Sequence, residues 1–266
     1  MKPLRLIALD LDGTLLSRGK TVSMRTQQVL TGLMADGCHV VVATGRPFEV
    51  LALFCQGLSL TAPQVVLNGA AIHDPVAGRD LRRRTMTVDG VERATEFFRE
   101  RDIPLAIFTT VGLYLDARIP NQHLWQPAPL PPPHDLAEIA RFRDYQVLKI
   151  AAHAEPRVVD ELHPSAVEAL GDELYVTRTA PTLVEALDPA VSKGEALRHV
   201  AGLLGVPREE IVAFGDSDND LPMFAAAGLS VAMGNAPPEV KAAADLTTLS
   251  NEEDGIAVAL QQLCAF

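Results

Sequence analysis

The stretch "LIALDLDGTLL", residues 6–16, constrains the fold of this chain most strongly. Its aliphatic run predicts a buried strand, yet Asp10 and Asp12 interrupt it, and burying an ion without a partner costs several kcal/mol of hydration free energy. Residues two apart in a strand point to the same side, and the carboxyl ends of parallel strands form a ligand crevice. Two carboxylates there suit metal binding, proton transfer or nucleophilic attack. A turn that closes the strand would explain one aspartate well and two poorly.

Aliphatic strands alternate with helices at both ends of the chain. The predicted strands lie near 5–11, 38–44, 64–68, 210–216 and 229–233, and the predicted helices near 22–36, after Pro47, and near 193–204 and 219–227. This alternation predicts a parallel sheet that helices cover on both faces, as in doubly wound α/β proteins. Gly37 provides the expected stop signal of the first helix.

The middle of the chain, from about residue 82 to 190, has a different pattern. Helices are predicted at 88–101 and 155–170, and strands near 105–109, 112–116, 145–153, 173–178 and 182–187. We interpret this part as an α+β insert, residues 83–189, in a discontinuous core of residues 1–82 and 190–266. The proline-rich loop at 126–133 is interpreted as a stiff connector in preference to a ligand for a partner domain.

Charge and composition narrow the classes of partner. The net charge of −11 argues against a nucleic-acid backbone as partner, because nucleic-acid-binding proteins need a basic stripe. Apolar runs stay shorter than the roughly 18 residues of a membrane-spanning helix, so we expect no membrane partner. Three cysteines without a C-x-x-C pair, together with the lack of a signal-peptide pattern, favour a cytoplasmic protein. We expect a monomer or a weak homo-oligomer.

A second acidic cluster, "AFGDSDNDL" at 213–221, lies at another predicted strand end. Asp216, Asn219 and Asp220 belong to a set of hard oxygen donors that suits Mg²⁺. A calcium-binding EF-hand is excluded, because Leu221 occupies the position of its glycine and Ala227 the position of its final glutamate.

Two smaller features suggest an anion site. Thr44 and Gly45 of "ATGR" follow the second predicted strand, where a hydroxyl and free backbone N–H groups near a helix start can hold a phosphate oxygen. Lys193 of "VSKGEAL" begins a predicted helix, where a lysine opposes the helix dipole. A single lysine is usually solvated, but opposite so many acids a phosphate anchor is plausible.

The ordered motifs D-x-D-G-T, T-G-R, a lysine and G-D-x-x-N-D resemble those of the haloacid dehalogenase (HAD) superfamily. The length, the insert and the segments "VVLNGA", "VSKG" and "VAMGNA" resemble more narrowly the Cof-type phosphatases with a type-II (C2B-like) cap. The resemblance implies a Rossmann-like doubly wound parallel sheet core with an inserted α+β cap domain. It also implies a Mg²⁺-dependent phosphomonoesterase that works through an aspartyl-phosphate.

The resemblance also implies roles for individual residues. Asp10 would be the nucleophile and Asp12 the general acid and base, with its backbone carbonyl on the metal. The phosphate-binding residues would be Leu11, Thr44, Gly45, Lys193 and Asn219; the metal ligands Asp10, Asp12 and Asp216; and the supporting residues Asp220, Arg46 and Asn68. Leu11 would act through backbone amides that face the phosphate.

The expected substrate is a small phosphorylated metabolite, either a sugar phosphate or a phosphorylated cofactor such as pyridoxal phosphate or FMN. Two alternatives stay open: a phosphomutase of the same superfamily, and a phosphometabolite-binding regulatory protein without turnover. Four residues of the insert are candidates for substrate contact, namely Tyr114, His123, Trp125 and Arg178. Their default role is packing or surface exposure.

Overall fold

The protein is described by a computed structural model that covers residues 4–139 and 141–264. It divides into two compact units. Unit 1 comprises Met1–Arg82 and Ser192–Phe266, and unit 2 comprises Arg83–Val191. The predicted insert, residues 83–189, lies within unit 2. No helix in the described ranges is long and apolar enough to cross a membrane.

The secondary structure alternates along most of the chain. The strands are β1 (Leu6–Leu9), β2 (His39–Val42), β3 (Gln64–Val66), β4 (Ala71–Asp74), β5 (Arg79–Arg83), β6 (Leu105–Thr109), β7 (Leu113–Leu115), β8 (His134–Asp135), β9 (Val147–His153), β10 (Tyr175–Ala180), β11 (Leu183–Leu187), β12 (Ile211–Gly215), β13 (Leu229–Ala232) and β14 (Leu246–Thr247). The α-helices are α1 (Met24–Ala35), α2 (Phe48–Phe54), α3 (Val88–Arg99), α4 (Pro156–Leu170), α5 (Lys193–Leu204), α6 (Leu221–Ala226), α7 (Pro238–Ala243) and α8 (Gly255–Cys264).

The main sheet of unit 1 is parallel, with strand order β14-β13-β12-β1-β2. The central strand β1 alternates between two cores: Leu6 and Ala8 pack in one apolar cluster, and Ile7 and Leu9 pack in the other. Both faces of the sheet are therefore covered, which explains why its strands are aliphatic without alternation. The prediction of a doubly wound α/β core is confirmed.

Strand β1 is shorter than predicted, so the prediction that Asp10 and Asp12 lie within a strand is wrong. It ends at Leu9, so Asp10 and Asp12 lie beyond the strand and the alternation of a pleated strand does not place them. The chain turns at Gly13, whose φ is +85°, and a Cβ atom there would lie 2.4 Å from Oδ2 of Asp216. Only glycine permits both this backbone conformation and this approach.

The predicted end of the third strand, at residue 68, is also wrong. Strand β3 ends at Val66, because Leu67 and Asn68 adopt left-handed backbone angles, with φ of 51° and 56°. β3 lies in a separate three-stranded sheet with β4 and β5, and a β-bridge from Ala43 to Val65 connects it to the end of β2.

Unit 2 contains a six-stranded sheet of order β10-β11-β9-β6-β7-β8. Its neighbours are antiparallel except β7 and β8, which run parallel. Residues of α3 and α4, among them Phe98 and Leu162, form an apolar core with one face of the sheet, which includes Ile107 and Ile150. The α+β character predicted for the insert is confirmed.

Candidate active site

Asp10 lies at the centre of the candidate site, directly after β1. Its side chain is buried, with the whole residue 5% exposed, and Oδ1 accepts a hydrogen bond from Nζ of Lys193 at 2.5 Å. Burial raises the pKa of Asp10 well above its usual value, because Lys193 offsets only part of that effect while Asp220 and Asp216 repel the charged form. A buried carboxylate in this position needs a cation beside it.

Lys193 provides one such cation as the first residue of α5. The preceding Ser192 caps the helix by accepting a hydrogen bond from the backbone N–H of Glu195. The Lys193 ammonium is 1% exposed and donates to Asp10 and, at 2.6 Å, to Oδ1 of Asp220. Burial alone would lower the pKa of Lys193, but the charges of the two carboxylates outweigh it and raise the pKa. These carboxylates also offset the unfavourable helix dipole.

Asp220 supports this lysine and is fully buried. Its second oxygen, Oδ2, accepts hydrogen bonds from the backbone N–H groups of Asp216 at 2.9 Å and Ser217 at 3.0 Å. The bond from Ser217 belongs to a capping box at the 3₁₀ turn Asp218–Asp220. The predicted helix at 219–227 thus begins with this 3₁₀ turn and becomes α-helical only at Leu221. Because protein donors bind both of its oxygens, Asp220 is poorly placed to bind a metal.

Asp216 lies one residue after β12 and faces Asp10. Its Oδ1 accepts a hydrogen bond from Oγ1 of Thr14 at 2.8 Å, and carboxylate oxygens of Asp216 and Asp10 lie within 4.8 Å of each other. Burial, reinforced by the charge of Asp220, raises the pKa of Asp216 to about 6. Two carboxylates this close repel each other unless a positive charge lies between them, and a divalent cation can take that position.

A metal ion fits this arrangement. Carboxylate oxygens of Asp10, Asp216 and Asp220 lie within 4.8 Å of one another. Since Asp220 is used by Lys193 and two backbone N–H groups, Asp10 and Asp216 are the carboxylates available to the ion. Oxygen donors of this kind are those that Mg²⁺ prefers.

Asp12 is half-buried and is held by two cations. Arg46 donates to its carboxylate from Nε at 2.5 Å and from Nη2 at 3.0 Å, and Lys20 donates from Nζ at 2.5 Å. Burial acts to raise the pKa of Asp12, but the hydrogen bonds and charges of Arg46 and Lys20 outweigh it and lower the pKa. Asp12 is therefore ionised and held in place in this state, as a proton acceptor should be.

The candidate phosphate-binding residues meet beside these carboxylates. Thr44, two residues after β2, is buried, and its hydroxyl oxygen accepts from the backbone N–H of Arg46 at 3.1 Å. Its carbonyl accepts from the backbone N–H of Asn68 at 2.8 Å, and the Asn68 side chain accepts from Nδ2 of Asn219 at 3.0 Å. A Cβ atom at Gly45 would lie 3.3 Å from the Asn68 amide. The side chain of the remaining candidate, Leu11, is buried in the core, which leaves only its backbone for a ligand.

Most of the chain matches a known family. The family described as haloacid dehalogenase-like hydrolase matches over residues 7–260. The chain belongs to that family. The hydrolase is 32% identical over 262 residues to the 5-amino-6-(5-phospho-D-ribitylamino)uracil phosphatase YitU of Bacillus subtilis, with 97% of this chain and 96% of YitU covered. It is 30% identical over 241 residues to the HMP-PP phosphatase of Cronobacter sakazakii, with 90% and 87% covered.

Solved structures agree with this assignment. A haloacid dehalogenase-like hydrolase from B. subtilis superposes with a TM-score of 0.83 at 28% identity, with 98% of this chain and 100% of that chain covered. BT1666 of Bacteroides thetaiotaomicron, described among the phosphatases of the HAD superfamily, gives 0.81 at 27% identity, with 99% and 96% covered. The predictions of the family, the fold and a HAD-type phosphatase are confirmed.

Three residues that contact the site of the hydrolase were not among the predicted site residues. Thr14 is the last residue of the D-x-D-G-T motif, and its hydroxyl binds Asp216. Asn235, in the segment "VAMGNA", donates to the carbonyl oxygen of Gly13 at 2.9 Å. Motif position could have indicated both of these residues. Lys20 has no such signal, because nothing in its neighbourhood in the sequence connects it to Asp12.

The four candidate substrate contacts of the insert differ in their surroundings within unit 2. Tyr114 is buried in the apolar core of the unit, and Arg178 pairs with Asp160 at 2.8 Å. His123 is exposed and Trp125 is half-buried. Tyr114 and Arg178 thus have structural contacts of their own, and substrate contact by any of the four stays a prediction.

Proposed function

We propose that this hydrolase is a Mg²⁺-dependent phosphomonoesterase that cleaves small phosphorylated metabolites through an aspartyl-phosphate on Asp10. The observation that carries the proposal is the buried Asp10 carboxylate, which accepts a hydrogen bond from Lys193 at 2.5 Å and lies within 4.8 Å of the Asp216 carboxylate. The names of two relatives, phosphatases of a ribitylamino-uracil phosphate and of HMP-PP, support small phosphorylated molecules as the substrate class.

The charges of the site suit attack on a phosphate. A carboxylate that approaches a phosphate dianion meets like-charge repulsion, which is severe where water is excluded. Lys193 brings one positive charge to the attacking oxygen of Asp10. Asp10, Asp216 and the backbone carbonyl of Asp12 would hold Mg²⁺, which when bound supplies further positive charge to the transferring phosphoryl group.

The reaction divides into two balanced half-reactions. Asp12, which is ionised in this structure, must first take up a proton from solvent. In the first half-reaction a carboxylate oxygen of Asp10 then attacks phosphorus, the bond from phosphorus to the leaving oxygen breaks, and Asp12 gives that proton to the leaving oxygen. In the second, Asp12 takes a proton from water, the water oxygen attacks phosphorus, and Asp10 departs as a carboxylate, which releases inorganic phosphate. Splitting one difficult step into two easier ones is the general advantage of a covalent nucleophile.

Thr44, Gly45 and Asn219, with the backbone at Leu11, would bind the phosphoryl oxygens. Asn219 uses one N–H of its Nδ2 group for Asn68, and the same nitrogen carries a second N–H that can donate to a phosphate oxygen. The Thr44 hydroxyl oxygen already accepts the N–H of Arg46, so its proton is available to a phosphate oxygen as well.

A panel of phosphorylated metabolites, assayed for release of inorganic phosphate, tests the proposal. It should contain sugar phosphates, pyridoxal phosphate and FMN. Asp10→Asn should lower kcat by about 10⁴-fold or more, since loss of the nucleophile removes the covalent route. EDTA should abolish activity, and Mg²⁺ should restore it.

The same assay separates the alternatives. Normal turnover by the Asp10→Asn variant, or full activity in excess EDTA, would refute the proposal. A phosphomutase would isomerise a hexose phosphate without releasing phosphate. A regulatory protein without turnover would release one phosphate per chain and then stop.

A further inference from the structure

The segment "VAMGNA" has no part in the proposed reaction, yet its asparagine, Asn235, contacts two loops of the candidate site. It follows β13, and the order of the parallel sheet is β14-β13-β12-β1-β2, so β12 separates β13 from β1. The side chain of Asn235 nevertheless reaches the loop after β1, at Gly13. It therefore crosses the end of β12, where Asp216 lies.

The amide of Asn235 has a donor end and an acceptor end with different partners. Nδ2 donates to the carbonyl oxygen of Gly13 at 2.9 Å and lies 3.4 Å from Oδ2 of Asp216, a longer and weaker contact. Oδ1 accepts from the backbone N–H of Asn251 at 3.1 Å. The acceptor end thus fixes the amide to a third loop, and the donor end faces the two loops that carry the proposed metal ligands.

These two loops are in direct contact and have little freedom to change their spacing independently. The backbone at Gly13 packs so closely on Asp216 that a Cβ atom would lie 2.4 Å from Oδ2. Thr14 ties the same loop to Oδ1 of Asp216 at 2.8 Å. Asn235 adds a second connection between the loop and this carboxylate, because its Nδ2 contacts both the carbonyl oxygen of Gly13 and Oδ2 of Asp216. The carbonyl of Asp12 lies one residue before that of Gly13.

We propose that Asn235 is a positioning residue for the metal site: it fixes the backbone of the Asp12–Gly13 loop relative to the Asp216 carboxylate. The inference rests on the proposed function in one respect, that the Asp12 carbonyl and Asp216 both bind Mg²⁺. Groups that orient metal ligands without touching the metal typically change metal affinity about 10- to 100-fold when they are removed.

Calorimetric titration of the metal-free protein with MgCl₂ tests the inference without recourse to activity. Asn235→Ala should weaken Mg²⁺ binding about tenfold. Asn235→Gln, which keeps the amide but displaces it by one methylene group, should also weaken it. Asn251→Ala is the matched control: it removes a hydrogen bond from a neighbouring asparagine to the carbonyl of Leu16 but keeps the backbone N–H that anchors Asn235. The control should bind Mg²⁺ like the wild type.

Kinetics separate positioning from general damage. At saturating Mg²⁺, the Asn235→Ala variant should recover kcat and the KM for substrate to within about twofold, because only metal binding is impaired. Since Asn235 is exposed, the metal-free variant should keep its far-ultraviolet spectrum and its melting temperature. A folded Asn235→Ala variant with the Mg²⁺ affinity of the wild type would overturn the inference and leave the proposed function intact. If the wild type itself took up no Mg²⁺, the proposed metal site would fail, and the inference with it.

Discussion

Lys193 is the residue on which both the stability and the chemistry of the site depend. It lies buried between Asp10 and Asp220, so its removal leaves two buried carboxylates without their cation. Lys193→Met should lower the free energy of unfolding by about 3 kcal/mol, the usual cost of breaking a buried ion pair. It should also lower kcat/KM by about 10²-fold or more, through lost transition-state stabilisation. Urea unfolding and phosphate release measure the two effects.

Unit 2 offers a matched control for Lys193. Lys149 is another buried lysine and pairs with Glu185 at 2.7 Å. Lys149→Met should cost comparable stability, yet the folded variant should still hydrolyse p-nitrophenyl phosphate, because unit 1 contains all the groups assigned to phosphoryl transfer. Equal loss of that activity in both variants would contradict the catalytic role of Lys193.

Lys20 affects a different step, through Asp12. Together with Arg46 it holds the carboxylate that we assign to proton transfer. Lys20→Met should lower kcat/KM for an alkyl phosphate about tenfold, and lower it less for p-nitrophenyl phosphate, whose nitrophenolate leaves without a proton. Lys20→Arg should restore part of the loss. Equal effects on both substrates would show that Lys20 does not act through the proton donor.

At the scale of secondary-structure elements, the burial of aliphatic residues explains both the strands that were predicted correctly and the strand end that was not. Aliphatic runs correctly predicted β1, β2, β12 and β13 of the main sheet, because those strands are buried, but not the exposed two-residue edge strand β14. The same run continues through Leu11, Leu15 and Leu16, which are equally buried but lie in the turn after β1. Burial alone therefore could not reveal where the strand ends.

Backbone conformation explains the other errors at this scale. The left-handed angles of Leu67 and Asn68 end β3 early, and a valine-rich pattern does not predict them. Residues 79–83, where no strand was predicted, form β5, whose residues alternate between exposed and half-buried. Such an alternation in a short polar strand gives little hydrophobic signal.

The edge of the main sheet offers a test of pH dependence. The Asp245 carboxylate, just before β14, accepts hydrogen bonds from the hydroxyl of Ser230 at 2.7 Å and from its backbone N–H at 2.8 Å. These bonds lower the pKa of Asp245, and the bond from the Ser230 hydroxyl has the largest effect. The folded state therefore favours the ionised form, and the stabilisation is present above the pKa of the unfolded chain and lost as the pH falls through the lower pKa of the folded state.

Asp245→Asn should thus destabilise the protein at pH 7, by less than about 1 kcal/mol because the residue is exposed and solvent screens the interaction. The difference from the wild type should shrink as the pH falls below the usual range for aspartate. Denaturant unfolding at several pH values measures it. A difference that stayed constant with pH would show that the charge of Asp245 contributes nothing.

At the scale of the whole molecule, the order of the motifs predicted which residues would meet, but not their partners. The motifs D-x-D-G-T, T-G-R and G-D-x-x-N-D follow β1, β2 and β12 of one parallel sheet, whose carboxyl ends bring them to one edge, and Lys193 joins them from the start of α5. The bond from Asn235 to Gly13 joins residues 222 positions apart in loops without regular structure, and no periodicity reports such a contact. The contact of Lys20 with Asp12 was not predicted either, because it is made within an irregular loop.

The division into two units gives the last prediction. Unit 1 contains every residue that we assign to phosphoryl transfer and to Mg²⁺, and none assigned to the rest of the substrate. We therefore expect unit 2 to determine substrate selectivity. Replacing residues 83–191 with a short flexible linker should leave Mg²⁺ affinity, measured by calorimetry, within about threefold of the wild type, because ligands held by packed side chains and backbone of unit 1 remain. The ranking of the metabolite panel should change much more, with sugar phosphates and phosphorylated cofactors cleaved at similar rates. A shortened protein that binds Mg²⁺ and keeps the ranking of the full chain would place selectivity in unit 1.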